Sequence, residues 1–180
     1  MNAFFSPLLT TIFMFASVNA AAALDIGETA PDFSALASLA GQPHQFELAT
    51  ALQAGPVVLY FYPAAFTPGC TIEAHSFAEA TDEFAKYNAT IIGVSADDIE
   101  TLHRFSVSEC RDKFAVAADE DGSIMQAYDA TSSRRPDVPG RISYVISPEG
   151  KVTHVQVSSP PKAHVSETLA AVKALSGNTD

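Results

Sequence analysis

One short segment, GPVVLYFYP at residues 55–63, limits the possible folds of this chain more than any other. It is a continuous apolar run with Gly and Pro at its two ends. Because nothing polar alternates within the run, it predicts a central β-strand that is covered on both faces. ATIIGVSA, at residues 89–96, has the same character and predicts a second buried strand.

The segments that follow these strands have helical patterns. At residues 71–87, apolar residues recur at near-helical spacing among acidic ones, which predicts an amphipathic helix. After the second strand, Asp97 and Glu100 have the spacing of a capping box, so we expect Asp97 to cap the next helix. The spacing of apolar residues at 165–172 predicts a final helix.

Shorter elements complete the predicted fold. Residues 114–119 indicate a short strand, residues 119–130 a turn with one or two helical turns, and residues 141–158 a β-hairpin. Gly41 and Pro43 are typical of a turn. Together these elements predict a single α/β domain at residues 24–180, with a mixed central β-sheet flanked by helices on both faces.

Composition narrows the range of partners. The 180 residues are 47% hydrophobic and 17% charged, as expected of one folded domain. The formal net charge is −11, and no Lys or Arg precedes Lys86. Since phosphate binding needs basic side chains, the charge distribution argues against a nucleic-acid partner.

The first residues predict an export signal. Residues 3–18 form an apolar run without charge, and small residues follow it. This pattern favours a signal peptide at residues 1–23, cleaved near residue 20, over a retained anchor. We therefore expect an exported, periplasmic protein without stable membrane association, since no later segment resembles a membrane span.

The chain has two cysteines, Cys70 and Cys110, and no CxxC motif. In an oxidising compartment the pair could form a static structural disulfide, which would add about 4 kcal/mol on a chain-entropy estimate. The alternative is a reactive thiol, and the surroundings of Cys70 favour it.

Cys70 lies where the first buried strand gives way to a helix. Unpaired amides and the positive end of the helix dipole would favour its thiolate there. Gly69 lets the backbone come close, Pro68 stiffens the loop, and Thr67 can turn its hydroxyl toward the sulfur or a substrate oxygen. A cation would help further, but the first basic residues occur later in the chain.

These residues resemble a known family. PAAFTPGC (63–70) matches the Pro-x-x-x-Thr/Ser-x-x-Cys signature of peroxiredoxins, and CTIEA (70–74) is similar to the bacterioferritin comigratory protein subgroup. PGRISYVISPEGKV (139–152) resembles the family's arginine-containing strand and hairpin. The resemblance implies a thioredoxin-like fold and reduction of hydrogen peroxide or organic hydroperoxides without a metal or organic cofactor.

The resemblance also implies roles for individual residues. Cys70 would be the peroxidatic nucleophile and become a sulfenic acid. Thr67 would hydrogen-bond the peroxide, Pro63 would shield the pocket from water, and Arg141 would hold the thiolate and polarise the substrate. Glu73 is either a solvated helix carboxylate or a partner for an arginine near the site, and the CTxEA pattern favours the second.

The resolving step remains open at this point. Many members of the subgroup carry a resolving cysteine five residues after the first, where this chain has His75. Other relatives place it in the helix after the next strand, and Cys110 follows such a helix, so the resolving group is either Cys110 or an external thiol. The charged neighbours of Cys110 predict an exposed segment. The resemblance further implies a thioredoxin-like reductant and a monomer or weak dimer.

Other functions can be weighed against this one. A redox sensor or thiol-based chaperone would need the same reactive thiol without turnover. A disulfide oxidoreductase is disfavoured because the CxxC motif is missing. The five His residues are scattered, and His103 and Cys110, seven residues apart, have no further ligand at a metal-binding spacing, so we expect no metal site.

Overall fold

The computed structural model describes residues 23–177. The predicted export signal at 1–23 lies outside the described residues, apart from its last residue, and stays a prediction. Within residues 23–177 the elements follow in the order β1 (Ser34–Leu39), β2 (Gln42–Glu47), α1 (Leu48–Leu52), β3 (Val57–Phe61), α2 (Pro68–Ala85), β4 (Thr90–Ser95), α3 (Ile99–Ser108), β5 (Ala115–Ala118), α4 (Ser123–Ala127), β6 (Ile142–Ile146), β7 (Val152–Val157) and α5 (Pro161–Gly177). None of these helices is long and apolar enough to cross a membrane.

The strands of the described region form one mixed sheet in the order β2-β1-β5-β4-β3-β6-β7. β3 pairs in parallel with β4 and antiparallel with β6, and β4 pairs in parallel with β5. The hairpin of β6 and β7 is antiparallel, as predicted. All five residues of β3 are buried, which confirms that the apolar run is a central strand.

Helices cover both faces of the sheet. Leu59 and Phe61 of β3 lie in the apolar cluster on the side of α1 and α4. Val58 and Tyr60 lie in the cluster on the side of α2, α3 and α5. Successive side chains of a strand point to opposite faces, so both faces of β3 need apolar residues. The predicted α/β class, with helices on both faces, is confirmed.

The predicted cap of α3 was wrong by one residue. Asp98 is the N-cap, and its side chain accepts a hydrogen bond from Thr101 N at 2.7 Å. Asp97 accepts from Ala65 N at 2.7 Å and from Ser95 Oγ at 2.8 Å. Asp97 therefore ties the loop after β3 to the end of β4.

The turn between β1 and β2 lies earlier in the chain than the predicted turn at Gly41 and Pro43. Pro43 lies within β2, at the edge of the sheet, and the turn falls at Ala40 and Gly41, both with positive φ (51° and 73°). Proline is tolerated in an edge strand because a missing amide donor costs little there. α1, which the sequence did not predict, follows β2 directly.

Candidate active site

Cys70 lies in the first turn of α2. Thr67 is the N-cap residue, with extended backbone, and Pro68 begins the helix. The first intrahelical hydrogen bond joins Thr71 N to Thr67 O at 2.9 Å. The amides of Gly69 and Cys70 precede that bond, so they belong to the unpaired donors at a helix N-terminus that favour an anion.

The guanidinium of Arg141 reaches the thiol from a distant part of the chain. Its Nη2 lies 3.5 Å from Cys70 Sγ. β6 begins directly after Arg141, and Ile142 pairs with Phe61 at the end of β3. The antiparallel register therefore brings Arg141 beside the loop that carries Cys70. Since Cys70 is only 1% exposed, the positive charge acts where water screens it little.

Gly69 allows this approach. A Cβ atom at Gly69 would lie 2.9 Å from Arg141 Nη2, which is too close for any real side chain. The sequence predicted that Gly69 permits a close approach, and the structure shows that the guanidinium makes it.

Glu73 is a buried partner of Arg141 and not a solvated carboxylate. Its side chain is 0% exposed, and Arg141 Nη1 donates a hydrogen bond to Glu73 Oε2. Burial raises the pKa of Glu73, Arg141 opposes this, and the net effect is a pKa of about 8.

Thr67 and Pro63 lie in the loop between β3 and α2, directly before the helical turn that carries Cys70. Thr67 is exposed, and its hydroxyl donates to Ala64 O at 2.9 Å, which leaves the oxygen lone pairs open to a donor. Pro63 is half-buried and lines an open cavity together with Arg141. The structure thus brings the four predicted residues Pro63, Thr67, Cys70 and Arg141 to one site.

A buried histidine and serine lie behind Glu73. His164, from α5, is 0% exposed, and its Nδ1 lies 3.8 Å from Glu73 Oε1 and 2.8 Å from Ser143 Oγ. Burial is the main cause that lowers the pKa of His164. Sequence reasoning treated His164 as one of several scattered histidines. The signal that could have found it is its place on the buried stripe of α5 with Val165, Thr168 and Val172.

Cys110 lies just beyond the C-terminus of α3, and its side chain is buried. The segment is exposed at residues 111–113, as predicted, but Cys110 itself is 0% exposed. Its amide donates to Phe105 O at 3.1 Å, which turns the side chain into the apolar cluster that also contains Cys70. Burial raises the pKa of the Cys110 thiol. Both cysteines are free thiols, and the resolving role of Cys110 stays a prediction.

His75, at the position where many relatives carry a cysteine, faces the segment that holds Cys110. Its Nε2 lies 2.8 Å from Glu109 Oε2. Within residues 23–177, no group of three or more His, Cys, Asp and Glu side chains is placed to hold a metal ion.

The fold and the site define a class: a thioredoxin-like α/β protein with one arginine-paired cysteine at the start of a helix. The sequence of the AhpC/TSA family matches residues 26–155, and the chain belongs to this family of peroxiredoxins.

Two relatives and one solved structure place the chain within the family. It is 35% identical over 121 residues to the chloroplastic peroxiredoxin Q of Triticum aestivum, a match that covers 67% of this chain and 55% of that protein. It is 32% identical over 150 residues to the chloroplastic peroxiredoxin Q of Sedum lineare, covering 83% of this chain and 78% of that protein. The crystal structure of peroxidoxin BcpB from Mycobacterium tuberculosis superposes with a TM-score of 0.74 at 31% identity, covering 83% and 97% of the two chains. These similarities support the bacterioferritin comigratory protein subgroup.

Proposed function

We propose that the protein is a thiol-dependent peroxidase that reduces hydrogen peroxide and organic hydroperoxides through Cys70. One observation carries the proposal: Cys70 Sγ lies in the first turn of α2, 3.5 Å from the guanidinium of Arg141. Membership of the AhpC/TSA family supports it.

In the first step the Cys70 thiolate attacks one oxygen of the peroxide. The S–O bond forms as the O–O bond breaks, the sulfur is oxidised to a sulfenic acid, and the other oxygen takes a proton and leaves as water or an alcohol. A fully ionised thiol gains only about thirtyfold in thiolate at pH 7, so a fast reaction also needs stabilisation of the leaving oxygen. Arg141 and the first amides of α2 supply that stabilisation.

Thr67 and Pro63 act on the substrate side. The Thr67 oxygen accepts a hydrogen bond from the peroxide hydroxyl, since its own proton is directed to Ala64 O. Pro63 has no amide proton and narrows the access of water at the cavity that Arg141 lines.

In the second step a thiol attacks the sulfenic sulfur, and a disulfide and water form. That thiol is Cys110 or an external thiol, and a thioredoxin-like donor then reduces the disulfide. Intact mass after one equivalent of peroxide separates the two routes. Loss of two hydrogens indicates a Cys70–Cys110 disulfide, and gain of one oxygen indicates an external resolving thiol.

The proposed setting is the periplasm, with the protein as a monomer or weak dimer. The apolar, uncharged run at residues 3–18 supports export. Processing near residue 20 in an expressing cell, read by the mass of the mature N-terminus, tests this part. Light scattering of the purified protein tests the oligomeric state.

The decisive experiment is steady-state peroxide consumption with a reducing system present. Cys70→Ser should abolish consumption and leave the circular dichroism spectrum unchanged. Cys110→Ser, the same sulfur-to-oxygen change at the other thiol, should still consume the first equivalent of peroxide. Turnover in the Cys70→Ser protein would refute the proposal, and consumption limited to one equivalent by the wild-type protein would favour a redox sensor or thiol-based chaperone.

A further inference from the structure

A buried polar cluster lies directly behind the arginine of the candidate site. Glu73 of α2, Ser143 of β6 and His164 of α5 are all 0% exposed. Three elements thus place polar side chains together inside an otherwise apolar cluster. Buried polar groups are costly unless their hydrogen bonds are satisfied, so the arrangement of protons in the cluster matters.

The hydrogen bonds of His164 determine which ring nitrogen carries a proton. Nε2 lies 3.1 Å from the backbone oxygen of Ser158. A carbonyl oxygen can only accept, so Nε2 must donate. In the neutral ring Nδ1 is therefore an acceptor, and the Ser143 hydroxyl donates to it at 2.8 Å.

The acceptor Nδ1 also faces an unsatisfied oxygen. Among the described residues, Glu73 Oε1 has no hydrogen-bond partner, although it is buried, and it lies 3.8 Å from His164 Nδ1. With Glu73 ionised and His164 neutral, the charged Oε1 would lie in the core beside the acceptor edge of the ring, without a donor of its own. A proton on Glu73 removes the uncompensated charge and gives Oε1 a hydrogen to share with Nδ1.

We propose that His164 is a positioning residue that holds one proton against Glu73, so that Glu73 binds Arg141 as a neutral acid. Oε2 then accepts from Arg141, and the protonated Oε1 competes with the Ser143 hydroxyl for the single lone pair of Nδ1. A neutral Glu73 orients the guanidinium without cancelling its charge, so the full positive charge acts on Cys70. This inference rests on the proposed function, because it explains how Arg141 is kept effective toward the reacting thiol.

The two pKa shifts place the proton on Glu73 at neutral pH. The pKa of Glu73 is raised to about 8, and burial lowers the pKa of His164. The ionisable groups near Glu73 are Cys70 on the same helix, Arg141 before β6, His164 on α5 and Tyr60 on β3. As the pH rises through about 8, Glu73 ionises, its charge offsets that of Arg141, and the stabilisation of the Cys70 thiolate falls.

Two serines that contact the imidazole ring of His164 provide a matched pair of variants. Ser143 Oγ forms a hydrogen bond with Nδ1 of His164, the nitrogen that faces Glu73. Ser158 Oγ lies 3.2 Å from Nε2, on the other side of the ring. Ser143→Ala removes the hydroxyl that competes with Glu73 for Nδ1, which favours protonated Glu73. Ser158→Ala leaves the backbone carbonyl that fixes the tautomer.

The test follows the rate constant of Cys70 against pH, once with hydrogen peroxide and once with iodoacetamide. We expect an inflection near pH 8 in the wild-type protein, which Ser143→Ala moves upward by about one pH unit. Ser158→Ala should leave the inflection in place. Equal shifts in both variants, or no shift in Ser143→Ala, would overturn the proposal.

Nuclear magnetic resonance of the wild-type protein gives a second readout that needs no variant. At pH 7 the His164 ring should be the neutral Nε2–H tautomer, and the Glu73 carboxyl should titrate near pH 8. A doubly protonated ring, or an ionised Glu73 at pH 6, would overturn the proposal. Because alkylation reports on Cys70 without peroxide, a normal alkylation profile in a protein that consumes no peroxide would refute the proposed function alone.

Discussion

Arg141 shows how closely a single side chain depends on its neighbours. It donates to Glu73 and to Cys70 from different nitrogens of one guanidinium. A lysine has no planar fork and could not make both contacts in this geometry. The space for the guanidinium exists because Gly69 carries no side chain.

Gly69→Ala therefore tests the position of Arg141 without changing its charge. The added Cβ would meet Arg141 Nη2 at 2.9 Å, and the flexible arginine would move away from Cys70. Gly69 does not have positive φ, so alanine strains the backbone little. We expect the rate constant of Cys70 with peroxide to fall about ten- to a hundredfold, measured by stopped flow, with little change in melting temperature.

Gly140→Ala is the control for this change. Its Cβ would lie 3.6 Å from the nearest atom, Ala130 O, which is an ordinary contact. We expect a rate constant within about twofold of the wild-type value, because the added Cβ makes no close contact with Arg141. If Gly69→Ala matched Gly140→Ala, the close approach of the guanidinium would have no kinetic importance.

The residues of the site divide into those that a local pattern reveals and those that it does not. Cys70, Thr67 and Pro63 could be predicted because they lie within one short motif, and Arg141 because its hairpin resembles the family. The contact of His164 with Glu73 could not be predicted, since it joins α5 to α2 across the structure. Spacing along the chain carries no information about that contact.

At the scale of elements, the segment after α3 controls the second thiol. Two contacts hold it to α2: His75 Nε2 lies 2.8 Å from Glu109 Oε2, and Glu79 forms an ion pair with Arg111 at 3.2 Å. Arg111 also has positive φ, 52°, as does the next residue, and each such residue costs roughly 1–2 kcal/mol. Cys110 is buried between these contacts, so we expect the segment to open when Cys110 forms a disulfide with an oxidised Cys70.

Weakening the contact between Glu109 and His75 should speed the opening of the segment that holds Cys110. For Glu109→Gln, which removes the charge opposite His75, we expect the disulfide between Cys70 and Cys110 to form about two- to fivefold faster, since partly exposed pairs contribute up to about 1 kcal/mol. The measurement is intact mass at timed intervals after one equivalent of peroxide. Glu83→Gln is the control, because Glu83 pairs with Lys86 on the same helix and not with the segment. Equal rates of disulfide formation in the two variants would mean that the contact of Glu109 with His75 does not limit the opening of the segment.

One element that the sequence did not predict, β2, has little buried surface. In β2 only Phe46 is buried, so the strand lacks the apolar alternation on which prediction depends. The one-residue error at the α3 cap has a different cause. Asp97 and Asp98 are both suitable caps, and the contact of Asp97 with Ala65, which decides between them, is long-range.

The stability of the whole molecule depends on pH because the fold buries the carboxyl group of Glu73. We expect the protein to be less stable at high pH. A carboxyl group with a raised pKa in the folded state binds more protons there than in the unfolded chain. For Glu73 the folded state holds this extra proton over the pH range from the ordinary pKa of 4.5 to about 8. Folding is therefore favoured below this window, and the contribution is lost as the pH rises through it. The sequence predicted the α/β class, but this dependence follows from a burial that no sequence pattern showed.

Glu73→Gln should remove this dependence. The glutamine oxygen can accept from Arg141 and its amide can donate toward His164, so the variant resembles the neutral acid at every pH. In urea unfolding between pH 5 and 8.5, we expect the wild-type free energy of unfolding, relative to the variant, to fall by on the order of a few kcal/mol. Other titrating groups, such as His154 with its lowered pKa, cancel in this difference. Glu83→Gln, at an exposed site, should show no such fall. A constant difference between wild type and Glu73→Gln would mean that Glu73 is ionised throughout, and that Arg141 acts on Cys70 with its charge partly cancelled.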